Sequence, residues 1–335
     1  MYNNASIQKS FKPIFVLMKN ELKVGTIQMT CGHNQKENQE KIKEKIKELA
    51  SKNAELIVLQ ELHDSIYFCQ TEDTKQFDLA EQLHGKSTRF YAQIAKNNNV
   101  VIVSSLFEKR TTGIYHNTAV VFDRDGSTAG YYRKMHIPDD PGYYEKFYFT
   151  PGDLGFKPVK TSIGILGVLI CWDQWFPEAA RIMALKGAEI LIYPTAIGFD
   201  ENDTLEERQK QINSWKTIQK SHAIANGIPL ICVNRTGVEL AEKSKGRIHF
   251  WGNSFICGPQ GEVIYKAGEN IKLKFNYYKF AKEIMQNSKV DLTMINSENE
   301  LAKFAKKNVY GDKIVIGMGA GSISNWIRNL PKLIK

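Results

Sequence analysis

Glu61, Lys134 and Cys171 each stand at the end of a run of strand-forming residues. Glu61 follows Leu56-Ile-Val-Leu59 and Gln60, Lys134 follows Tyr131-Tyr-Arg133, and Cys171 follows Gly164-Ile-Leu-Gly-Val-Leu-Ile170. In α/β folds the carboxyl ends of strands are where loops and helix starts converge, and chemistry collects there. Singly, each has an ordinary reading: a carboxylate that caps a helix or pairs with an arginine, a solvated lysine, a thiol used as core filler. Together they form a kit for acyl transfer. A thiol needs a base to become a thiolate, a carboxylate in an apolar pocket has its pKa raised toward neutrality, and a developing oxyanion needs a fixed positive group. Backbone N–H groups just past a nucleophile at a strand-to-helix turn can supply further donors.

The elements that must position these residues alternate in type along the chain. Strand Leu22–Met29 leads to a helix with Ile42, Ile46, Leu49 and Ala50 on one face, the 3.6-residue period of an amphipathic helix. The run Leu56–Leu59 is apolar throughout, as expected of a strand covered on both faces. A helix near Ser87–Asn98 precedes strand Val100–Leu106, and strands near Asn117–Phe122 and Thr128–Arg133 are joined by the hairpin signal Asp125-Gly126. Beyond Cys171, Pro177 suits the first turn of a helix with Ala179, Ile182 and Met183 inward. Strand Glu189–Tyr193 follows, then a capping box, Thr204-x-x-Glu207, opens a long helix through Trp215, Ile218 and His222. Strand Pro229–Val233 and a hairpin around Gly258–Gly261 close a layered α/β domain with helices outside sheets.

Composition excludes several classes. At 42% hydrophobic and 24% charged residues, the 335-residue chain has the make-up of a folded globular protein. The apolar stretch Ile163–Cys171 is about half of the ~20 residues a membrane-spanning helix needs, so no membrane partner is expected. The five cysteines, Cys31, Cys69, Cys171, Cys232 and Cys257, never form a C-x-x-C pair. Neither a metal site nor a disulfide framework is indicated, and a reducing cytoplasm is the expected compartment. Two lysines in residues 1–17 and a net seven positive charges in residues 266–335 account for the formal charge of +9, which leaves residues 18–265 balanced. With no basic stripe interleaved with aromatics, no nucleic-acid partner is expected.

Three segments carry a resemblance: Leu59–Gln70, Tyr132–Asp153 and Gly167–Arg181. They resemble, in order and spacing, the signature blocks of the nitrilase (carbon-nitrogen hydrolase) superfamily, and within it the branch that acts on N-carbamoylputrescine. The resemblance implies a four-layer α-β-β-α sandwich over residues 18–275, paired into a homodimer or larger homo-oligomer, with no cofactor. Carried over, Glu61 matches the general base, Lys134 the oxyanion-stabilising lysine and Cys171 the nucleophile. Glu145 matches a second active-site glutamate, and the Trp172 amide a second oxyanion donor. The implied substrate is a small ureido compound with a cationic tail, whose pocket should offer carboxylates and aromatic faces. Tyr67, Trp172, Asp173, Thr195 and Glu239 are the expected substrate-binding residues, although Glu239 could instead pair with Arg235. An N-carbamoyl amino acid such as N-carbamoyl-β-alanine is the rival substrate. A catalytically impaired scaffold is the rival role.

Both ends fall outside the resemblance. Residues 1–17 read as a loosely ordered extension, with Met18 an alternative start. Past about residue 266 the pattern departs from the family, although Ile271–Phe275 could furnish one more family strand, with helices expected near Tyr277–Asn287 and Glu298–Lys307 and a strand at Val290–Met294. Residues 276–335 resemble the carboxyl-terminal end of a Mur ligase. Gly317-x-Gly319-x-Gly321 lacks the Gly-Lys-Ser/Thr ending of a phosphate loop, so ligase activity is not expected.

Overall fold

The computed structural model describes residues 22–241, 247–268, 297–308 and 330–332. Contacts divide the chain into two units, Met1–Ile271 and Lys272–Lys335. In the first, strands β1 (Val24–Ile27), β2 (Leu56–Leu59), β3 (Val101–Thr111), β4 (Ile114–Phe122) and β5 (Thr128–Arg133) form one sheet in sequential order. A six-stranded sheet takes β6 (Val159–Thr161), β7 (Gly164–Val168), β8 (Ile190–Pro194), β10 (Leu230–Val233), β13 (Phe255–Cys257) and β14 (Val263–Lys266), in the order β14-β13-β10-β8-β7-β6. The remaining strands β9 (Gly198–Asp200), β11 (Thr236–Glu239) and β12 (Ile248–Trp251) make a small antiparallel sheet.

Strand alternation explains the layering. Along β2, Ile57 and Leu59 join Ile42 and Ile46 of helix α1 (Gln35–Ser51) and Tyr91, Ile94 and Ala95 of α2 (Lys86–Asn98). Leu56 and Val58 point the other way, into a core shared with Leu166 and Val168 of β7. That core continues through the second sheet to Ala179, Ala180 and Met183 of α4 (Pro177–Leu185) and Trp215 and Ala223 of α5 (Leu205–Asn226). The result is the expected order of layers: helices, sheet, sheet, helices. Gly167 allows α4 to lie close on its sheet, because a Cβ there would stand 2.9 Å from the Ala188 Cβ and 3.2 Å from the Met183 Cβ.

Local signals hold where they were strong. Thr204 Oγ1 accepts the Glu207 amide at 3.2 Å and opens α5, which ends at Gly227 in the left-handed region. The Asp125-Gly126 turn joins β4 to β5, and Pro177 occupies the first turn of α4. The structure differs in the small third sheet and in β6, whose three- and four-residue strands are too short to show a period. In the second unit, the expected helix near Glu298–Lys307 is α6 (Glu298–Asn308), with Ala302, Ala305 and Leu330 buried together. The expected helix near Tyr277–Asn287 and strands at Ile271–Phe275 and Val290–Met294 lie outside the described residues, as do residues 1–17.

Candidate active site

The ends of β2, β5 and β7 bring Glu61, Lys134 and Cys171 into one electrostatic cluster, in which Cys171 feels the charge of both other residues. Lys134 is completely buried, and its amide donates to the Asn117 carbonyl at 2.9 Å, which continues the β4–β5 register by one residue. Its Nζ donates to Glu61 Oε1 at 2.8 Å and to Glu145 Oε2 at 2.6 Å. Glu145 opens the short helix α3 (Glu145–Tyr148), and its Oε1 accepts the Tyr67 hydroxyl at 2.7 Å. Glu61 Oε1 also accepts the Asn117 side-chain amide at 2.7 Å. Two open valences remain: Glu61 Oε2 is buried with no partner among the described residues, and the lysine ammonium, with two of its three donors engaged, has one to spare.

Cys171 opens a 3-10 helix, Cys171–Trp175, shortly after β7, with φ at +42°. A non-glycine residue in the left-handed region carries strain, and this sharp strand-to-helix turn presents the thiol as a nucleophile elbow would. Sγ donates to the Ala196 carbonyl at 3.8 Å. The Trp172 amide belongs to the first turn of the 3-10 helix, where N–H groups have no partner within the helix.

Burial and the Glu61 charge, only partly offset by Lys134, push the Cys171 thiol well above its ordinary value. The resting sulfur is therefore protonated and requires a base. For Lys134, burial opposes the charge, but Glu145 and Glu61 outweigh it and hold the ammonium firmly protonated. Burial lifts Glu145 to about 7 against the pull of Lys134, and it raises the Tyr67 phenol well above its usual value, with the Glu145 charge adding to the shift.

A cavity of about 500 Å³ opens onto Cys171 and Glu145, walled by Tyr143, Trp172, Trp175, Ala196 and Trp251. This volume lies within the range of small-molecule sites. Its wall also carries Asp140, Asp200, Asp203 and Glu207, with Lys210 as the base among its lining residues.

Of the five residues expected to bind substrate, Trp172 lines this cavity, while Tyr67 is completely buried and reaches the site through Glu145. Asp173, Thr195 and Glu239 are not among the lining residues, and in each case internal bonding explains why. Asp173 accepts from the Ile170 amide, the Tyr132 hydroxyl and both the amide and Nδ1 of His136, bracing the turn at Cys171. Thr195 gives its hydroxyl to the Tyr193 carbonyl and its own carbonyl to the Glu61 amide. Glu239 pairs with Arg235 at 2.8 Å, the second of its two sequence readings. Asn117, Tyr143, Trp175 and the acids of α5 and the loop before it come to the site without having been anticipated.

Among the described residues, no group of three or more His, Cys, Asp or Glu is placed to hold a metal ion, and no helix is long and apolar enough to cross a membrane. All five cysteines are free and buried.

Comparison with known proteins gives a consistent result. The family profile for carbon-nitrogen hydrolase matches residues 23–273. The N-carbamoylputrescine amidase of Oryza sativa subsp. japonica is 44% identical over 253 residues, covering 74% of this chain and 82% of that protein. A Francisella tularensis protein named citrullinase is 41% identical over 247 residues, covering 73% and 84%. The crystal structure of a carbon-nitrogen hydrolase from Helicobacter pylori G27 superposes with a TM-score of 0.72 at 55% identity, over 74% of this chain and 86% of that one.

Proposed function

The chain belongs to the carbon-nitrogen hydrolase family, and on that premise we propose that it hydrolyses N-carbamoylputrescine to putrescine, carbon dioxide and ammonia through Glu61, Lys134 and Cys171. Glu61 Oε2 takes the thiol proton, and the thiolate attacks the ureido carbonyl carbon. The free donor of Lys134 and the Trp172 amide hold the tetrahedral oxyanion. As the intermediate collapses, the terminal C–N bond breaks and Glu61 returns its proton to the departing ammonia. A water, deprotonated by Glu61, then attacks the carbamoyl thioester and expels the thiolate, which recovers the proton. The released carbamate loses carbon dioxide to give the free amine. Glu145 and Tyr67 hold Lys134 in place throughout.

One observation carries the choice of substrate. Besides Glu145, the wall above the nucleophile presents four carboxylates, Asp140, Asp200, Asp203 and Glu207, with three tryptophans, which suits an alkylammonium tail. A free carboxylate on the substrate would meet repulsion there. A second reading, a ureido amino acid such as citrulline, draws support from Lys210 on the same wall and from the similarity to the protein named citrullinase.

Ammonia release from N-carbamoylputrescine, N-carbamoyl-β-alanine and citrulline, measured side by side with a Cys171→Ala control, separates these readings. Preference for the putrescine compound is expected. Preference for either amino acid would overturn the reading of the wall, and no release from any of the three would overturn the enzyme assignment in favour of a scaffold.

The assembly we propose is a homodimer or larger homo-oligomer, supported by Leu185 on α4 and Leu205 and Ile224 on α5, which are exposed in the single chain. Sedimentation showing a monomer would overturn it. A reducing cytoplasm is the proposed compartment, supported by the five free thiols. The chemistry is assigned to residues 18–275, with residues 276–335 taking no part in it.

A further inference from the structure

We propose that the buried pair Arg235–Glu239 is a positioning device that aligns both carboxylates flanking Lys134, an inference that rests on the assignment of Cys171 and Glu61 above. Neither residue lines the cavity, and both Nη atoms of Arg235 and both carboxylate oxygens of Glu239 are engaged by protein groups, so an effect on the reaction passes through the groups they hold.

Arg235 follows β10 and is completely buried. Its Nη2 donates to the carbonyls of Glu61 at 3.0 Å and Leu62 at 2.7 Å. Its Nη1 donates to the Ser65 carbonyl at 2.9 Å and to both oxygens of Glu239, at 2.8 and 3.0 Å. The guanidinium thus grips the backbone of the proposed base and of the turn that follows it. That turn needs gripping, because Leu62 has φ at +48°, a left-handed conformation that persists where its surroundings over-determine it. The Leu62 amide is held in turn by Ser105 Oγ at 2.9 Å.

The other arm runs through Glu239, at the end of β11. Its Oε2 accepts the Tyr67 amide at 2.7 Å, and its Oε1 accepts the Cys31 amide at 3.3 Å. Tyr67 then donates its hydroxyl to Glu145. One ion pair therefore reaches Glu61 through the main chain and Glu145 through a tyrosine, and Lys134 is bonded to both. A planar fork with five donors can hold three carbonyls and a carboxylate at once. A lysine at this place could not.

A small displacement of Glu61 matters because reacting groups displaced by about 1 Å can lose about 100-fold in rate. The test compares wild type, Arg235→Lys and Glu239→Gln by two measurements: the rate of Cys171 alkylation by iodoacetamide near neutral pH, and kcat and KM for ammonia release. Arg235→Lys removes donors from the Glu61 arm, and Glu239→Gln weakens the Tyr67 arm while keeping its shape. In both, with cooperative melting retained, we expect kcat to fall about 10- to 100-fold while KM changes by less than about threefold. Cys171 alkylation should slow by a similar factor in Arg235→Lys, since thiolate formation depends on Glu61.

A folded variant of either kind with wild-type kcat and alkylation overturns the proposal. So does loss of folding in both, which would assign the pair to stability alone. If wild-type Cys171 is alkylated no faster than the other four cysteines, the assignment of the nucleophile fails and the proposal falls with it, a result distinct from unchanged variants beside a reactive wild type.

Discussion

Arg133 and Lys134 are neighbours in the chain, both are buried, and each is held by two carboxylates, yet the two clusters are finished differently. Arg133 donates Nε and Nη2 to the two oxygens of Glu108, at 2.8 and 2.6 Å, and Nη1 to Asp153 at 2.8 Å. Thr118 adds its hydroxyl to Glu108 at 2.6 Å, and Arg110 pairs with Asp153. Both Glu108 oxygens are therefore engaged. The Lys134 cluster keeps Glu61 Oε2 without a partner among the described residues, and a lysine donor in reserve. Strand alternation sends the two adjacent side chains to different surroundings. A cluster built for structure satisfies its groups, because each unsatisfied buried polar atom costs about 1–3 kcal/mol. One built for reaction keeps an acceptor for a proton and a donor for an oxyanion.

The largest expected effect tests what that reserve serves. Cys171→Ala should lower turnover by about 10⁴-fold or more, as read by ammonia release. Activity within tenfold of wild type would remove the nucleophile from the scheme.

The next experiment sets the clusters against each other. Lys134→Met strands two buried carboxylates, Glu61 and Glu145, and Arg133→Met strands the buried Glu108, its other partner Asp153 being exposed, so both should lower stability by roughly 3–5 kcal/mol, seen in denaturant midpoints. They should part in kinetics. Lys134→Met should lose the proposed oxyanion donor and about 10²–10³-fold in kcat, whereas Arg133→Met should keep kcat within about tenfold, since the Arg133 pairs bond to none of the three proposed catalytic side chains. Equal kinetic losses would erase the distinction.

Acidity sharpens the same contrast. Burial alone would raise Glu108, but hydrogen bonds from Arg133 and Thr118 outweigh it, and its carboxyl sits below the ordinary 4.5. Its stabilising share is present above 4.5 and is lost as pH falls below that value. Glu145 shifts the other way, from 4.5 to about 7. The folded state holds that proton more tightly than the unfolded chain, so its share is complete below 4.5 and is lost as pH rises through 7, by at most about 3 kcal/mol. Thermal midpoints of Glu145→Gln should accordingly decline less than those of wild type between these two values, while Glu108→Gln alters the curve below 4.5. Parallel curves for Glu145→Gln and wild type would mean that Glu145 does not titrate in that window.

Sequence conveyed the site's axis better than its walls, for reasons visible in particular residues. Glu61 and Cys171 each follow an apolar strand and Lys134 follows the Tyr131-Tyr-Arg133 end of β5, so residue type and position point the same way. Asn117 had no such signal, because it reaches Lys134 and Glu61 through strand pairing and not through a local motif. The left-handed turn at Cys171 was equally silent, since no glycine marks it. Asp173, Thr195 and Glu239 are expected at the substrate because they stand in segments that resemble the family, but buried polar groups are satisfied internally as a rule, and these three have internal partners. Glu207 reads in the sequence as one half of a capping box, and Asp200 and Asp203 stand in no motif, although β9, the loop after it and the start of α5 place all three on the cavity wall.

The smallest effect probes that wall, where charge is exposed and not buried. Glu207 lines the cavity from the first turn of α5, and its side chain faces water. An exposed ion pair contributes about 0.2–1 kcal/mol, so Glu207→Gln should raise KM for a cationic ureido substrate by about two- to fivefold and leave kcat unchanged. Coulombic attraction at such a position is screened once the Debye length falls to about 3 Å near 1 M salt, so the difference between variant and wild type should shrink as salt is added. A KM change that persists at high salt would point to shape and not charge at Glu207. A lowered KM would reverse the expected sign of the substrate's tail and move the wall's preference toward an anion, while the fully buried machinery beneath it would be untouched.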